Sequence, residues 1–569
     1  MKFRKIYYSL LFFLFFQSMT IFAADPKKQA SFSFKENHIS FSRILKDNNL
    51  KTLSNLYPEF GLKVNLQSDG ALSFFKLDPA PTKILKKDTL HTNPQFSWLQ
   101  AENLKKVRTL KSRKNSTHEY FLQIVQNKPL FHCYVNMHSK SDGEITGIQA
   151  KTIDIPDDAE KLKFKLNKKE ALAFAKKNGK LPNGKVLFFK KIFYPLPTGL
   201  VPAYRIIIFD MKIPAEWELI IGNHGEILEK SNLLKFLKVS PRPLPLIIEG
   251  KGKVFNPNPV VSLRNYELKD QDDTNYQALV KAYKNVTLEN LDGSGFLKGL
   301  YVDLTLRKNS AYSDSGNFIY TRNQPEFEDV MVYYHIDRAQ RYIQSLGFIN
   351  INNRSQRVNS RATLEDNSWY SPTAKNLCFG CGGVDDAEDA DIILHEYGHA
   401  IQDSIIPGFG RSHEAASIGE GFSDFFAACL NDREEHGLPA ENIGDWDAVS
   451  FSEKRPPYLR KITNNKKYPE DMAYEVHADG EIWSDCLWKL RKELPKKTAE
   501  IIILEAHFYM TPYTSFVEAA EAILLADTQV NKAKNHTLIR KVFKNKGILI
   551  KNTENALEEV QKFWSLHNK

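Results

Sequence analysis

Cysteine is scarce in this sequence, and long apolar runs are missing after the first residues. Five cysteines occur among 569 residues, and an odd, sparse set of this kind cannot supply a disulfide framework. Two or three domains with ordinary hydrophobic cores are therefore expected for this length. Cys378 and Cys381 form "CFGC", but no second CxxC completes a structural zinc site. The pair predicts either a local disulfide or two free thiols.

Clustered positive charge is also missing. The net charge is +10, but lysine and arginine are spread widely, whereas a nucleic-acid partner requires basic residues concentrated on one element or in a binding module. No nucleic-acid partner is expected. No later segment is apolar enough over sufficient length to span a bilayer, so no stable membrane span is expected downstream of the N-terminus.

The N-terminus has the residue pattern of a targeting signal. Lys2, Arg4 and Lys5 precede the apolar "IYYSLLFFLFFQSMTIF", which ends in Ala23-Ala24. Charge, apolar segment and small residues in this order predict a cleaved signal peptide over residues 1–23, with a membrane anchor as the alternative. The mature protein is expected to be secreted, either to the periplasm or outside the cell.

The first half predicts a mixture of strands and one helix. Residues 119–147 alternate apolar and polar side chains across two turn signals, which predicts a strand-turn-strand meander. "LNKKEALAFAKKNG" (166–179) predicts a helix, and "AYRIIIFDM" and "EWELIIGNHGEIL" predict strands. The meander resembles the fungalysin/thermolysin propeptide module. The helix-strand-strand unit resembles a PepSY domain, so residues 24–240 are expected to be a propeptide.

A proline-rich stretch separates the two halves. "KVSPRPLPLIIEGKG" (238–252) has three prolines in five residues, a density that favours an inter-domain linker. Downstream the pattern is strand-rich to about residue 372, including "GLYVDLTL", and helix-rich beyond Asp389. The predicted helices contain "DADIILHEYGHAIQD", "EAASIGEGFSDFFAACL", "DGEIWSDCLWKLRKEL" and "SFVEAAEAILLAD".

The stretch "HEYGH" (395–399) carries the chemistry. Residues four apart lie on the same face of a helix, so His395 and His399 can present two imidazoles to one ion. Glu396 points about 100° away from His395, which lets it face the cleft without being a ligand. This is the HExxH arrangement of zinc peptidases, with the glutamate as general base.

A catalytic zinc needs a third protein ligand and one open position. The extended pattern with a third histidine would place it at Ile405, which excludes that subclass. The remaining donor is a carboxylate on a following helix, and "GEGFSD" (419–424) supplies Glu420. Asp424 lies one turn later on the same face, where it can accept a proton from a ligating imidazole.

"HEYGHAIQ", "GEGFSDFF" and "EVHADGEIW" together resemble the thermolysin-like gluzincins, especially the fungalysin-type branch. The resemblance implies zinc bound by His395, His399 and Glu420, with Asp424 orienting His395. It also implies an α+β fold in which the propeptide-like α+β region precedes a two-lobed peptidase. The strand-rich N-lobe would span residues 246–390, the helical C-lobe residues 391–569, and the active site would lie between them.

Local motifs extend the resemblance to further positions. "NSWYSP" resembles the edge-strand segment whose asparagine binds the substrate backbone, which implies Asn367. "LRKITNNKKY" resembles the stretch with a substrate-binding arginine, which implies Arg460. "VHADG" implies that His477 stabilises the transition state.

Two positions match the family less well. Thermolysin has an aspartate five residues before the histidine that corresponds to His477. That position is Met472 here, so the neighbouring Asp471 is the candidate for orienting His477. Asp391, in the acidic run 385–391, matches a calcium-binding aspartate. The alternative for Asp391 is a solvated carboxylate in the first turn of a helix.

The expected function is that of a secreted zinc endopeptidase acting on polypeptides, made as a zymogen whose own propeptide inhibits and chaperones it. One alternative is a catalytically silent secreted binding protein that keeps the fold. Another is a zinc hydrolase acting on something other than peptides. His132, His138 and His413 have no motif around them and are expected to be structural or surface residues.

Overall fold

The computed structural model describes two regions of the chain. The first, called here the N-terminal region, comprises residues 62–66, 72–76, 85–87, 90, 103–112 and 116–233 without 154, 157, 197–198 and 211–214. The second, called the C-terminal region, comprises residues 248–431 and 441–548. The signal peptide predicted over residues 1–23 lies outside the described residues, as does most of the predicted linker.

Strands dominate the N-terminal region. They are β1 (Leu62–Leu66), β2 (Leu72–Lys76), β3 (Leu104–Lys111), β4 (Thr117–Val125), β5 (Lys128–Ser139), β6 (Ile145–Lys151), β7 (Lys185–Leu196), β8 (Gly199–Asp210), β9 (Ala215–Gly222) and β10 (Ile227–Asn232). They form a ten-stranded sheet in the order β1-β2-β6-β5-β7-β8-β9-β10, with β4 also paired to β5 and β3 to β4. The strands predicted by the meander are β4, β5 and β6.

One helix, α1 (Lys168–Asn178), packs on this sheet. It begins at Asn167, whose side chain accepts from the Glu170 backbone N–H while the Glu170 side chain accepts from the Asn167 backbone, a capping box. Ala171 and Ala175 are buried against β8 and β9. The predicted helix over 166–179 is confirmed to within two residues at each end.

The C-terminal region is strand-rich first and helical afterwards. Its strands are β11 (Ile248–Phe255), β12 (Tyr283–Leu291), β13 (Val302–Asp303), β14 (Asn317–Phe318), β15 (Gln356–Thr363), β16 (Trp369–Ser371), β17 (Asn376–Gly380), β18 (Asn442–Ile443) and β19 (Arg460–Lys461). Its helices are α2 (Pro259–Leu263), α3 (Glu326–Ser345), α4 (Ala390–Ile405), α5 (His413–Leu430), α6 (Val476–Glu493), α7 (Lys496–Ala506), α8 (Phe516–Asn531) and α9 (His536–Asn545). One large hydrophobic core joins both parts.

Three features differ from the sequence predictions. The 20-residue helix α3 lies within the stretch predicted to be strand-rich. Its acidic first turn and apolar residues at helical spacing are the signal that was missed. Residues 248–252, predicted as linker, begin β11, where they pair with β12. In "GLYVDLTL" (299–306) the strand is limited to Val302–Asp303.

The two regions share a buried interface. Arg108 donates to the carbonyl oxygens of Ser404 and Ile405 at the end of α4, an arrangement that satisfies backbone acceptors at a helix C-terminus. Arg411 Nη1 lies 3.0 Å from Glu218 Oε2, and Glu218 is 1 % exposed. The structure therefore joins the N-terminal region to the helix that carries "HEYGH".

Two buried histidines also lie at this interface. His118 Nδ1 and His138 Nδ1 are 2.8 Å apart, and the His118 ring stacks on Phe508 with centroids 4.4 Å apart. His118 Nε2 contacts Ser112 Oγ at 2.9 Å, and Ser112 donates to Glu505 Oε1 at 3.0 Å. This chain of contacts runs from the N-terminal sheet into the helical core of the C-terminal region.

Within the described residues, none of the helices combines the length and the apolarity that crossing a bilayer requires.

Candidate metal centre

Helix α4 presents the two histidines of "HEYGH" on one face. Asp389 precedes the helix and accepts from the Asp391 backbone N–H at 3.0 Å, which caps the N-terminus. The imidazole rings of His395 and His399 are 4.9 Å apart between centroids. His395 is 4 % and Glu396 is 6 % exposed, so the motif lies within the fold.

Close helix packing brings the next two motifs to the same point. A Cβ atom on Gly398 of α4 would lie 2.9 Å from Ser423 Cα on α5. A Cβ atom on Gly421 of α5 would lie 2.3 Å from the Gly480 carbonyl oxygen on α6. Side chains at these positions would force the helices apart, so the glycines inside the motifs set the distances between the ligand-bearing helices. Glycine within a helical pattern was the signal for this packing.

Glu420 on α5 faces both histidines. Its Oε2 lies 3.1 Å from His395 Nε2 and 3.5 Å from His399 Nε2. One donor atom from each of these three residues lies within 4.8 Å of the other two. Beside them, Glu396 Oε2 is buried and has no hydrogen-bond partner among the described residues. The structure therefore brings together the three predicted ligands and the predicted base.

Asp424 holds the far side of His395. Its Oδ1 lies 2.7 Å from His395 Nδ1, and Arg460 donates to both of its oxygens, from Nε at 2.7 Å and Nη2 at 2.8 Å. Burial opposes protonation of His395, but Asp424 and then Glu420 raise its pKa to about 10. The contact with Asp424 at Nδ1 turns Nε2 towards Glu420 and the space beside it, and a metal ion there would replace the Nε2 proton. Arg460 therefore contacts Asp424, the residue that holds His395.

The charges in this group depend strongly on one another. Burial opposes ionisation of Glu420, but His477 and His399 hold its pKa well below the ordinary value. Burial likewise opposes ionisation of Asp424, but the charge of Arg460 and then that of His395 lower its pKa. Both carboxylates are therefore anionic at neutral pH, which suits a cation.

His477 completes the group, and a residue that was not predicted holds it. His477 Nε2 lies 3.4 Å from Glu420 Oε2, and 47 % of its side chain is exposed. Its Nδ1 lies 2.7 Å from Glu475 Oε1, whereas Asp471 accepts from the Lys467 backbone N–H at 2.7 Å. The structure thus places Glu475, not Asp471, against the His477 ring.

Glu475 was missed because it also begins a helix. Its carboxylate accepts from the backbone N–H groups of His477 and Ala478 at the start of α6. The helix predicted from "DGEIWSDCLWKLRKEL" starts at Asp479, whereas the observed helix starts at Val476 and has Glu475 as its N-cap residue.

The remaining predicted residues lie on different elements. Asn367 is exposed and is separated from β16 by Ser368 alone. Strand β16 lies at one edge of the sheet ordered β13-β15-β17-β16. Asp391 is fully buried and accepts from Asn431 Nδ2 and from the Gly444 backbone N–H, each at 2.9 Å. Calcium binding by Asp391 stays a prediction. The solvated alternative is wrong, because the carboxylate is buried.

The "CFGC" pair forms no disulfide, and Cys378 and Cys381 are both thiols. Cys381 lies in a second group with Glu328 and Asp385. Arg361 Nη1 contacts both carboxylates of that group, so a cationic side chain already lies between them.

Part of this chain is similar to known metallopeptidases. Residues 382–551 match the family model of fungalysin metallopeptidases (M36). Extracellular metalloproteinase 2 of Trichophyton tonsurans is 26% identical over 190 residues, which is 28% of this chain and 30% of that protein. Extracellular metalloproteinase 4 of Trichophyton rubrum is 27% identical over 197 residues, again 28% of this chain and 30% of that protein.

The chain therefore spans less than a third of the length of these curated relatives. A solved structure, the Bacillus megaterium YpeB C-terminal domain, is 13% identical and covers 34% of this chain and 95% of that chain, with a TM-score of 0.17, too low to assign a fold. The family match confirms the fungalysin-type resemblance for the part of the chain that holds the candidate metal centre.

Proposed function

We propose that this protein is a secreted zinc endopeptidase that uses Glu396 as its general base. The observation that carries the proposal is the convergence of His395, His399 and Glu420 beside the buried, unpartnered oxygen of Glu396. The names of the matching relatives, extracellular metalloproteinases, support secretion and a protein substrate.

The donor set fits zinc. Two imidazoles and one carboxylate are the ligands of many catalytic zinc sites, which keep a fourth position open. When bound there, zinc supplies Lewis acidity towards a water molecule and the scissile carbonyl. Asp424 Oδ1 accepts a hydrogen bond from His395 Nδ1 at 2.7 Å, which leaves Nε2 as the ligand atom.

The chain's own residues then move the proton and hold the substrate. Glu396 accepts a proton from the attacking water and delivers it to the leaving amine. His477 donates to the oxygen that becomes negative during attack, with Glu475 fixing its ring at 2.7 Å. Arg460 and Asn367 hold the peptide backbone in register.

The substrate would lie in a cleft between two lobes, residues 246–390 and 391–569. Within the described residues β16 has only β17 as a strand partner. An extended peptide could pair with its other edge, a common way of binding a backbone, once the N-terminal region that contacts Ser371 has left. Asn367 lies close before this strand, which agrees with its proposed role.

The zymogen proposal assigns residues 24–240 to a propeptide. Its support is the interface through Arg108 and Arg411, together with Glu216, which accepts from Ser371 Oγ of β16 at 2.8 Å. The N-terminal region thus contacts both the metal-centre helix and the edge strand. N-terminal sequencing of the secreted form tests this assignment. An unprocessed chain with full activity would contradict it.

A substitution at Glu396 tests the mechanism. Glu396→Gln should keep bound zinc and the fold but lose casein hydrolysis by about 100-fold or more, because the proton acceptor is gone. The control is Glu493→Gln, at the exposed end of α6, which should retain activity. Equal hydrolysis by Glu396→Gln and the control would exclude this mechanism, whereas no hydrolysis by the processed unsubstituted chain would favour a silent binding protein.

A further inference from the structure

Three aspartates form a second carboxylate group, separate from the candidate metal centre. One oxygen each of Asp366, Asp386 and Asp447 lies within 4.8 Å of the other two. Asp366 is exposed, whereas Asp386 and Asp447 are each 3 % exposed. They are called here the Asp366 group.

The three aspartates come from different parts of the C-terminal region. Asp366 directly precedes Asn367. Asp386 begins a 3-10 helix (Asp386–Glu388) that leads into α4, and Asp447 begins another (Asp447–Ser450). The group therefore ties the segment before the edge strand to the segment before the metal-centre helix.

Nothing in the described residues balances the charge of this group. No lysine, arginine or histidine there forms an ion pair with Asp366, Asp386 or Asp447. By contrast, Arg361 forms an ion pair with Asp385 in the neighbouring group. Burial and then the charge of Asp366 raise the pKa of Asp386 to about 8. Uncompensated buried carboxylates are costly, and a cation removes that cost.

One oxygen within the group points to a ligand independently. Asp447 Oδ1 is fully buried and has no hydrogen-bond donor among the described residues. Asp386, in contrast, accepts from the Gly380 backbone N–H at 3.3 Å and from Ser368 Oγ. The side chains of Asp447 and Asp386 contact each other, and a cation held between them would satisfy the unpartnered oxygen of Asp447.

We propose that Asp366, Asp386 and Asp447 bind a calcium ion. All three donors are carboxylate oxygens, which favours a hard cation over zinc. Calcium–oxygen distances of about 2.3–2.6 Å put two oxygens on one ion at most about 5 Å apart, which matches their spacing of up to 4.8 Å. The exposed side at Asp366 leaves room for the water ligands that calcium needs.

The site would act as a clamp. Calcium would hold Asp366 against the start of α4 and so fix the loop that leads to β16. It would stabilise the C-terminal region whether or not the protein is a peptidase, because none of its ligands belongs to the candidate metal centre.

Terbium luminescence on the full chain tests the site. Tb³⁺ replaces calcium, and the buried Trp446 beside Asp447 can excite it. The unsubstituted chain should show saturable luminescence that calcium displaces, and Asp366→Asn should weaken binding by about tenfold or more because one of three charged ligands is lost. The matched control is Glu365→Gln, an exposed acid one residue away, which should bind as the unsubstituted chain does.

Thermal unfolding with and without calcium provides the second readout, with bound zinc measured in parallel. Calcium should raise the midpoint of the unsubstituted chain and of Glu365→Gln but not of Asp447→Asn. Without calcium, Asp447→Asn should be at least as stable as the unsubstituted chain, since a repelling charge is gone. An equal calcium response in all three chains, or no response to millimolar calcium, would overturn the site. Neither outcome depends on peptidase activity.

Discussion

Acidification should destabilise the interface between the two regions through His118 and His138. Burial lowers the pKa of His138 to about 4 from its ordinary 6.5, and burial followed by the charge of His138 lowers the pKa of His118 well below that value. Both rings are therefore neutral in the folded protein at pH 7. Nearby, Glu505 and Tyr509 face them from the C-terminal region.

The direction in which stability changes with pH follows from proton uptake. Between pH 6.5 and 4 the unfolded chain binds a proton at His138 that the folded chain does not, so stability is complete above pH 6.5 and falls as the pH drops towards 4. The difference of about 2.5 pKa units, at 1.36 kcal/mol each, amounts to about 3 kcal/mol for His138. His118 acts in the same direction.

The measurement is urea unfolding of the N-terminal region at pH 7.5 and 4.5. A Glu396→Gln background is used, because it would remove any self-cleavage by the proposed peptidase. His138→Gln should lose about 2.5 kcal/mol less on acidification than the parent chain, because pH 4.5 is still above the folded pKa of about 4. The control, His224→Gln at an exposed turn, should behave as the parent does. The same pH dependence in both variants would refute the role given to the buried pair.

Three further substitutions examine the candidate metal centre. Gly421→Ala should destabilise the protein by about 1–3 kcal/mol, because the added methyl group forces α5 and α6 apart. Gly419→Ala on the same helix is the control, since a Cβ atom there has its nearest neighbour at 3.5 Å, and thermal unfolding compares the two variants. Glu475→Gln should lower kcat more than it changes KM, and Asp471→Asn should change neither; steady-state peptidase kinetics decides, and the reverse order would restore Asp471. Asp424→Asn should weaken zinc binding by about 10- to 100-fold; metal titration monitors this, and unchanged affinity would contradict its orienting role.

Much of the candidate metal centre could be predicted from the sequence because its motifs are local. The four-residue spacing in "HEYGH" and the turn between Glu420 and Asp424 are properties of single helices, and both appear in α4 and α5. The fungalysin-type resemblance, carried by these motifs, is confirmed by the match over residues 382–551.

The features that were missed depend on how elements meet. Glu475 contacts His477 only because it caps α6 with its side chain turned towards the ring. The Asp366 group joins residues about 80 positions apart, and nothing in the local sequence around Asp447 marks it as the partner of Asp366. Helix α3 was missed for a different reason, since its periodicity was present but was interpreted together with neighbouring strands.

The interface between the two regions does not depend on protein concentration while the chain is intact. While residues 234–247 connect the regions, Arg108 and Arg411 meet their partners within one molecule, at an effective concentration set by that connection rather than by how much protein is present. One cut in the connection makes the same contacts bimolecular. Dilution, which cannot separate the regions of an intact chain, then drives them apart.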